Sequence, residues 1–152
     1  MTKKLLRISK AVYWLMIATY QVKTKPFNEV VNRNGLAEIP VSQSEKELLD
    51  CVDEIDRDLF VTARYIDRLS RLILKNKPCM PAAVGSLLML KNRNVCAYVY
   101  FGVNIESTSR AMSAHAWVYC QSKVLTGHLT AHQFKPVSCY KLTRSTRNQR
   151  LN

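Results

Sequence analysis

The fold of this chain is decided by residues 77–90, which read KPCMPAAVGSLLML. Pro81 stands where a first-turn proline is tolerated, because the first backbone N–H groups of a helix have no partner within it. Nearly every later side chain is apolar, which predicts a buried helix over residues 80–93 with Cys79 capping its N-terminus. Asn94 suits the left-handed position that follows a helix.

Downstream of this helix, the pattern changes to that of strands. Residues 95–103 alternate and are rich in β-branched and aromatic side chains, as in a strand. Three further strand candidates cover residues 113–120, 123–126 and 136–142. Helices therefore precede strands, and that order predicts an α+β fold with an antiparallel sheet beside helices.

Upstream, two helices are predicted before a connector. The first covers residues 5–23 and ends before Pro26, since the residue before a proline avoids helical geometry. The second covers residues 27–34, where Gly35 offers a stop.

The connector is expected at residues 36–43. Ser44 and Glu47 then match a capping box, in which each side chain satisfies the other's backbone N–H. Apolar residues recur every three or four positions over residues 48–73, which predicts an amphipathic helix broken once near Asp58.

The chain has the length of one domain, 152 residues. We expect a helical region at 1–75, a catalytic helix and sheet at 76–142, and a basic tail at 143–152 that frays. Its formal net charge is +12, and thirteen Lys and Arg from Arg68 onward face a single acid, Glu106. This asymmetry indicates an anionic partner or, alternatively, only a soluble surface.

Cysteine usage indicates a reducing compartment such as the cytoplasm. The five cysteines are odd in number and irregularly spaced, which is a poor disulfide framework. The sequence has no CxxC pair that would favour a zinc site, and we expect no metal or other cofactor.

The N-terminus combines basic residues with an uncharged run at residues 11–22. That run is shorter than the roughly 20 residues of a membrane span. A secretory signal is the alternative, and we favour an amphipathic helix that packs on the domain or contacts a partner.

Cys79 is the first candidate for chemistry. A helix N-terminus and the neighbouring Lys75 and Lys77 favour thiolate over thiol, and thiolate is the reactive form. The free N–H groups there would also stabilise an oxyanion. The alternative is a small buried core cysteine, which we favour for the remaining four.

His115 is the second candidate, at the head of a predicted strand and among small residues. An imidazole on a strand that faces a helix N-terminus has the geometry of a Cys–His pair. A structural histidine is the alternative. Trp117 either forms a wall of the site or packs in the core.

Three segments carry a resemblance to a known family: PCMPAA at 78–83, VYFGV at 99–103 and AHAWV at 114–118. Together they resemble the leader peptidases of lasso-peptide biosynthesis, which belong to the transglutaminase-like, papain-like superfamily. Residues 14–35 and 69–78 extend the resemblance. It implies a papain/transglutaminase-like core with N-terminal helices and the nucleophile Cys79 at the N-terminus of a buried helix packed on an antiparallel sheet.

The resemblance also implies a function and partners. Such enzymes cut the leader from a ribosomally made precursor peptide, often two residues past a threonine, before a cyclase closes a macrolactam. The helices before Cys79 are expected to leave no room for a fused recognition domain, so the resemblance implies a separate leader-recognition protein. The cyclase is a possible further partner, and neither nucleic acid nor a membrane span is expected.

The third catalytic residue is where this sequence departs from the family. Many members carry an aspartate about a dozen residues after the histidine, a position that falls at Gly127 here, and no Asp or Glu follows Glu106. An orienting group must accept the N–H of the ring nitrogen that does not face sulfur. A backbone carbonyl and four side chains are candidates, with Gln133 favoured because papain-like enzymes accept an amide there; the others are Thr126, His128 and His132.

Three functions are therefore compared. The first is the leader peptidase, and the second is a catalytically degenerate scaffold for precursor and cyclase, motivated by the missing acid. Nucleic-acid binding ranks last, because the basic residues form no recognisable motif with exposed aromatic residues.

Overall fold

The computed structural model describes residues 2–49, 54–104 and 113–143. The helices along these residues are α1 (Lys3–Thr24), α2 (Phe27–Asn34), α3 (Val41–Leu49), α4 (Arg57–Ile73) and α5 (Cys79–Asn92). The strands are β1 (Leu36–Ile39), β2 (Ala97–Asn104), β3 (Ser113–Cys120), β4 (Lys123–Thr126) and β5 (Lys135–Leu142), with a 3-10 helix at Ala131–Gln133 before β5. The predicted α+β class is confirmed.

The strands form one antiparallel sheet in the order β1-β5-β2-β3-β4. Strands β2, β3 and β4 follow one another as a meander, and β5 returns to the other side of β2. The β3–β4 ladder stops at the pair of Val118 and Thr126, so the first residues of β3 have no strand on that side. The start of α5 reaches the sheet at this gap, where the Ala116 N–H contacts Cys79.

Helix α5 is the centre of the core. It packs against α1, α4 and β3, and nine of its fourteen residues are buried. A Cβ added at Gly85 would lie 3.3 Å from both the Trp14 carbonyl oxygen and the Ile66 side chain, so glycine lets three helices approach closely. The burial predicted from the apolar run is confirmed, and the helix begins at Cys79, one residue earlier than predicted.

Helix α1 packs on the domain through Ala11, Leu15 and Ala18. Its outer side exposes large apolar side chains, of which Met16 and Tyr20 are each about two-thirds exposed. Across the residues that the structure describes, no helix is long and apolar enough to cross a bilayer.

The predicted capping box at Ser44 and Glu47 is wrong. The expected connector contains β1, and α3 already begins at Val41, so Ser44 lies inside a helix. The Ser44 hydroxyl donates to the Val41 carbonyl at 2.6 Å and accepts from the Tyr100 hydroxyl at 2.7 Å. The residue that looked like a cap instead fixes α3 to the face of the sheet opposite α5.

The predicted break of the long amphipathic helix near Asp58 is confirmed, since residues 54–56 are not helical. Helix α4 begins at Arg57, and its cap is Asp56, whose carboxylate accepts the N–H groups of Asp58 at 2.8 Å and Leu59 at 3.1 Å. The predicted helical positions at 50–53 and the predicted fraying at 144–152 lie outside the described residues.

Candidate active site

Cys79 is the first residue of α5, and Pro78 rather than Cys79 occupies the cap position. The first helical hydrogen bond runs from the Ala82 N–H to the Pro78 carbonyl at 3.1 Å. Proline has no N–H, so Pro78 and Pro81 remove two of the four donors that a helix start leaves unpaired. The two that remain belong to Cys79 and Met80, beside the sulfur.

His115 lies near the start of β3, half-buried, and aromatic rings hold it on one side. The imidazole stacks on Trp117 with ring centres 5.9 Å apart and lies against Phe134 at 4.9 Å. Gly102 faces His115 across the β2–β3 ladder, and a Cβ there would come within 2.6 Å of the Trp117 ring. Trp117 is itself buried, so it packs in the core while also supporting the imidazole.

The thiol and the imidazole are hydrogen-bonded to each other, and their pKa values shift in opposite directions. Burial favours a neutral thiol, but hydrogen bonds from His115 and the Ala116 N–H outweigh it and lower the pKa of Cys79. Burial also disfavours the imidazolium, but hydrogen bonds to Cys79 and to the Gly127 carbonyl outweigh it and raise the pKa of His115. Both shifts favour a thiolate–imidazolium pair.

The other ring nitrogen of His115 is held by the segment after β4. Nε2 lies 3.0 Å from the Gly127 carbonyl oxygen and 3.2 Å from the Thr130 hydroxyl. A carbonyl oxygen can only accept, so Nε2 carries a proton, and Nδ1 is left to face the sulfur. Among the open alternatives for this role, the structure favours the backbone carbonyl.

The four side chains considered for that role lie elsewhere. Gln133 and His132 are exposed on the 3-10 helix, and neither contributes a described polar contact to the ring. The Thr126 hydroxyl is buried in β4 without a described hydrogen-bond partner. Nε2 of His128 instead contacts Arg64, at 2.5 Å.

Gly127 occupies a position that no side chain can share with His115. Its φ is +72°, and an added Cβ would lie 2.8 Å from Nε2 of His115 and 2.7 Å from the Ala116 carbonyl oxygen. An aspartate at position 127 would therefore collide with the ring that it should orient. The backbone at Gly127 lies so close to the imidazole that it leaves no room for an acidic side chain at this position.

A carboxylate nevertheless lies directly behind Gly127. Asp67, on α4, is only 4% exposed, and its Oδ1 accepts the Gly127 N–H at 2.9 Å. Sequence reasoning missed this residue, because only the folded chain joins positions 60 residues apart. A weak signal was present, since Asp67 lies on the buried stripe of α4 together with Ala63 and Ser70.

These residues surround a cleft of about 330 Å³ in which Cys79, His115 and Thr130 meet. Arg71 and Lys77 give it a basic edge. A larger groove of about 720 Å³ lies behind the Trp117 and Phe134 rings, but Cys79 does not line it. The described residues contain no group of three or more His, Cys, Asp or Glu side chains placed to hold a metal ion.

Comparison with known proteins agrees with this fold. The profile of the transglutaminase-like superfamily, which includes cysteine peptidases, matches residues 22–139. Searches of curated proteins and of solved structures found no match. The profile match covers more than half of the chain, including α5, strands β1 to β4, the first part of β5 and both members of the Cys–His pair. The chain belongs to the transglutaminase-like superfamily.

Proposed function

We propose that this protein is a cysteine peptidase that removes the leader from a ribosomally made lasso-peptide precursor. The observation that carries the chemistry is the hydrogen-bonded pair of Cys79 and His115 at a helix start, lining an open cleft. The leader as substrate rests on the resemblance of the segments around Cys79, Gly102 and His115 to leader peptidases.

In the first step, the thiolate of Cys79 attacks the carbonyl carbon of the scissile peptide bond. The carbonyl oxygen gains negative charge in the tetrahedral intermediate. The N–H groups of Cys79 and Met80 are the donors beside the sulfur that can stabilise this charge. The positive end of the α5 dipole acts in the same direction.

In the second step, the C–N bond breaks and the His115 imidazolium donates its Nδ1 proton to the leaving amine. The leader remains attached to Cys79 as a thioester. Water then attacks this thioester while His115 accepts a proton from it, which releases the leader carboxylate and restores the resting pair.

A separate leader-recognition protein is the partner that we propose. The precursor is expected to reach the cleft already bound to it, and the basic edge at Arg71 and Lys77 favours acidic peptide near the scissile bond. A threonine two residues before the cut is the expected substrate feature.

The test combines this protein, a leader-recognition protein and the precursor peptide, with masses read over time. We expect cleavage with wild type and with Cys96→Ala, and none with Cys79→Ala. A complex that assembles without any cleavage would favour the alternative, a non-catalytic scaffold for precursor and cyclase.

A further inference from the structure

Among the residues that the structure describes, Asp67 is a buried charged side chain to which the mechanism above gives no role. Asp67 is 4% exposed, lies on a different helix from the nucleophile and lines the cleft. Its Oδ2 pairs with Arg71 at 3.0 Å, while its Oδ1 points at the segment after β4. Burying a carboxylate is costly unless it is paired and hydrogen-bonded, so this position requires an explanation.

The contacts form a continuous path from Asp67 to His115. Asp67 Oδ1 accepts the Gly127 N–H at 2.9 Å, and the carbonyl of the same residue accepts Nε2–H of His115 at 3.0 Å. Gly127 is thus held from both sides, and its carbonyl also accepts the Ala131 N–H at 3.1 Å. The charge of Asp67 is also among the causes that raise the pKa of His115.

We propose that Asp67 is the positioning residue of this site, which orients and charges His115 through the backbone of Gly127. A Cys–His pair needs a third group that orients the base. The backbone conformation excludes a side chain at 127, and the acid is supplied from α4 instead. This inference rests on the proposed Cys–His chemistry but not on the identity of the peptide substrate.

Other titratable groups lie beside the imidazole or beside Asp67, and the test must hold them constant. The thiolate of Cys79 acts on the imidazole directly, Arg71 and Lys77 line the same cleft, and Nδ1 of His128 lies 3.8 Å from Oδ2 of Asp67. Asp67→Asn keeps all of these residues. It keeps an oxygen that can accept the Gly127 N–H, removes the negative charge and breaks the ion pair with Arg71.

The experiment measures alkylation of Cys79 by iodoacetamide, located by mass spectrometry, at pH 6 and at pH 10. At pH 6 the sulfur reacts only as part of the ion pair, whereas at pH 10 it loses its proton without help from His115. We expect Asp67→Asn to slow alkylation about tenfold at pH 6, the effect of a shift of one pKa unit, and to leave the pH 10 rate within about twofold.

Two controls separate positioning from general damage. Asp58→Asn changes another aspartate of α4, which pairs with Arg7 and Lys10 away from the cleft, and should leave both rates unchanged. In a His115→Ala background, Asp67→Asn should have no further effect at pH 6, because Asp67 acts through the imidazole.

The proposal is overturned if Cys79 of Asp67→Asn is alkylated at the wild-type rate at pH 6. It is equally overturned if the substitution slows alkylation by the same factor at pH 6 and at pH 10. It is also overturned if the effect persists without His115. Thermal melting is measured alongside, and if Asp67→Asn does not fold, Asp67→Ser is used with the same three criteria. Because no peptide substrate is involved, a failure of the leader-peptidase proposal would leave this result interpretable.

Discussion

Gly127 matters at the scale of single residues, because the absence of its side chain makes room for the His115 imidazole. Gly35 offers a matched comparison, since its φ of +70° is nearly the same but nothing lies within 4 Å of an added Cβ. A substitution at either glycine strains the backbone. Only the substitution at Gly127 also strikes the His115 ring.

We therefore predict different outcomes for the two alanine variants. Gly127→Ala should lower leader cleavage about 100-fold, the cost of misplacing a catalytic group by roughly 1 Å. Gly35→Ala should reduce stability by about 1 kcal/mol and leave the cleavage rate unchanged. Cleavage kinetics and thermal melting of both variants test this. Equal cleavage rates in the two variants would show that the close approach of Gly127 to the His115 ring is unimportant.

The sequence indicated one part of the site and not the rest, for a physical reason. Cys79 and His115 are recognisable because their local sequence, a helix start and a strand head, favours their chemistry. The role of Asp67 depends on a contact with Gly127, and no local pattern encodes it. Gln133 was favoured by residue type alone, and the structure shows its side chain exposed while the Gly127 carbonyl holds the ring.

At the scale of elements, periodicity predicted helices better than it predicted their ends. Helix α2 and strands β3 and β4 have the predicted bounds, since turn residues such as Gly35 mark their limits. Strand β1 was missed because its four residues pair only with β5, at the sheet edge. The capping box predicted at Ser44 is wrong because the Ser44 hydroxyl bonds to Tyr100, a partner that a local motif does not reveal.

The attachment of α3 to the sheet gives a prediction at this scale. Glu47 accepts hydrogen bonds from Lys141 at 2.6 Å and from the Tyr98 hydroxyl, and these lower the pKa of Glu47 to about 2. A carboxyl whose pKa is lower in the folded than in the unfolded chain adds stability above its unfolded pKa. That stability is lost as the pH falls from about 4.5 towards 2.

Glu47→Gln should therefore destabilise the protein by about 1 kcal/mol at pH 7, a value reduced for solvent screening of a partly exposed pair. The difference from wild type should shrink as the pH falls through this range. Glu45→Gln, on the same helix, is the control and should change little. Urea unfolding at pH 7 and at pH 3 measures the stability of both variants. If Glu47→Gln were destabilised as much at pH 3 as at pH 7, the lowered pKa of Glu47 would be refuted.

At the scale of the whole molecule, helix α1 differs from the other elements because most of it lies outside the superfamily match. The superfamily match begins at residue 22, near the end of this helix. Its inner side packs on α4 and α5, whereas its outer side exposes apolar side chains beside Lys3, Lys4 and Lys23. An apolar surface with a basic border is complementary to a partner with an acidic rim.

We predict that the leader-recognition protein binds this outer side of α1. Met16→Glu and Tyr20→Glu should each weaken the complex at least about tenfold, because a charge replaces a buried apolar contact. Val137→Glu, at an exposed position on β5, is the matched control. Calorimetric titration measures the affinity, and Cys79 alkylation should be unchanged in all three variants. Wild-type affinity in both α1 variants would exclude this surface.

The groups that shift the pKa values of Cys79 and His115 come from separate parts of the chain, and this has a consequence for when the thiol becomes reactive. The helix start, the imidazole on β3, the Ala116 N–H and the segment after β4 come together only when α5 has docked on the finished sheet. In a nascent or partly folded chain, Cys79 has an ordinary thiol pKa and therefore reacts slowly at neutral pH. The reactivity of Cys79 is therefore coupled to completion of the fold, and damage to the core should leave Cys79 unreactive.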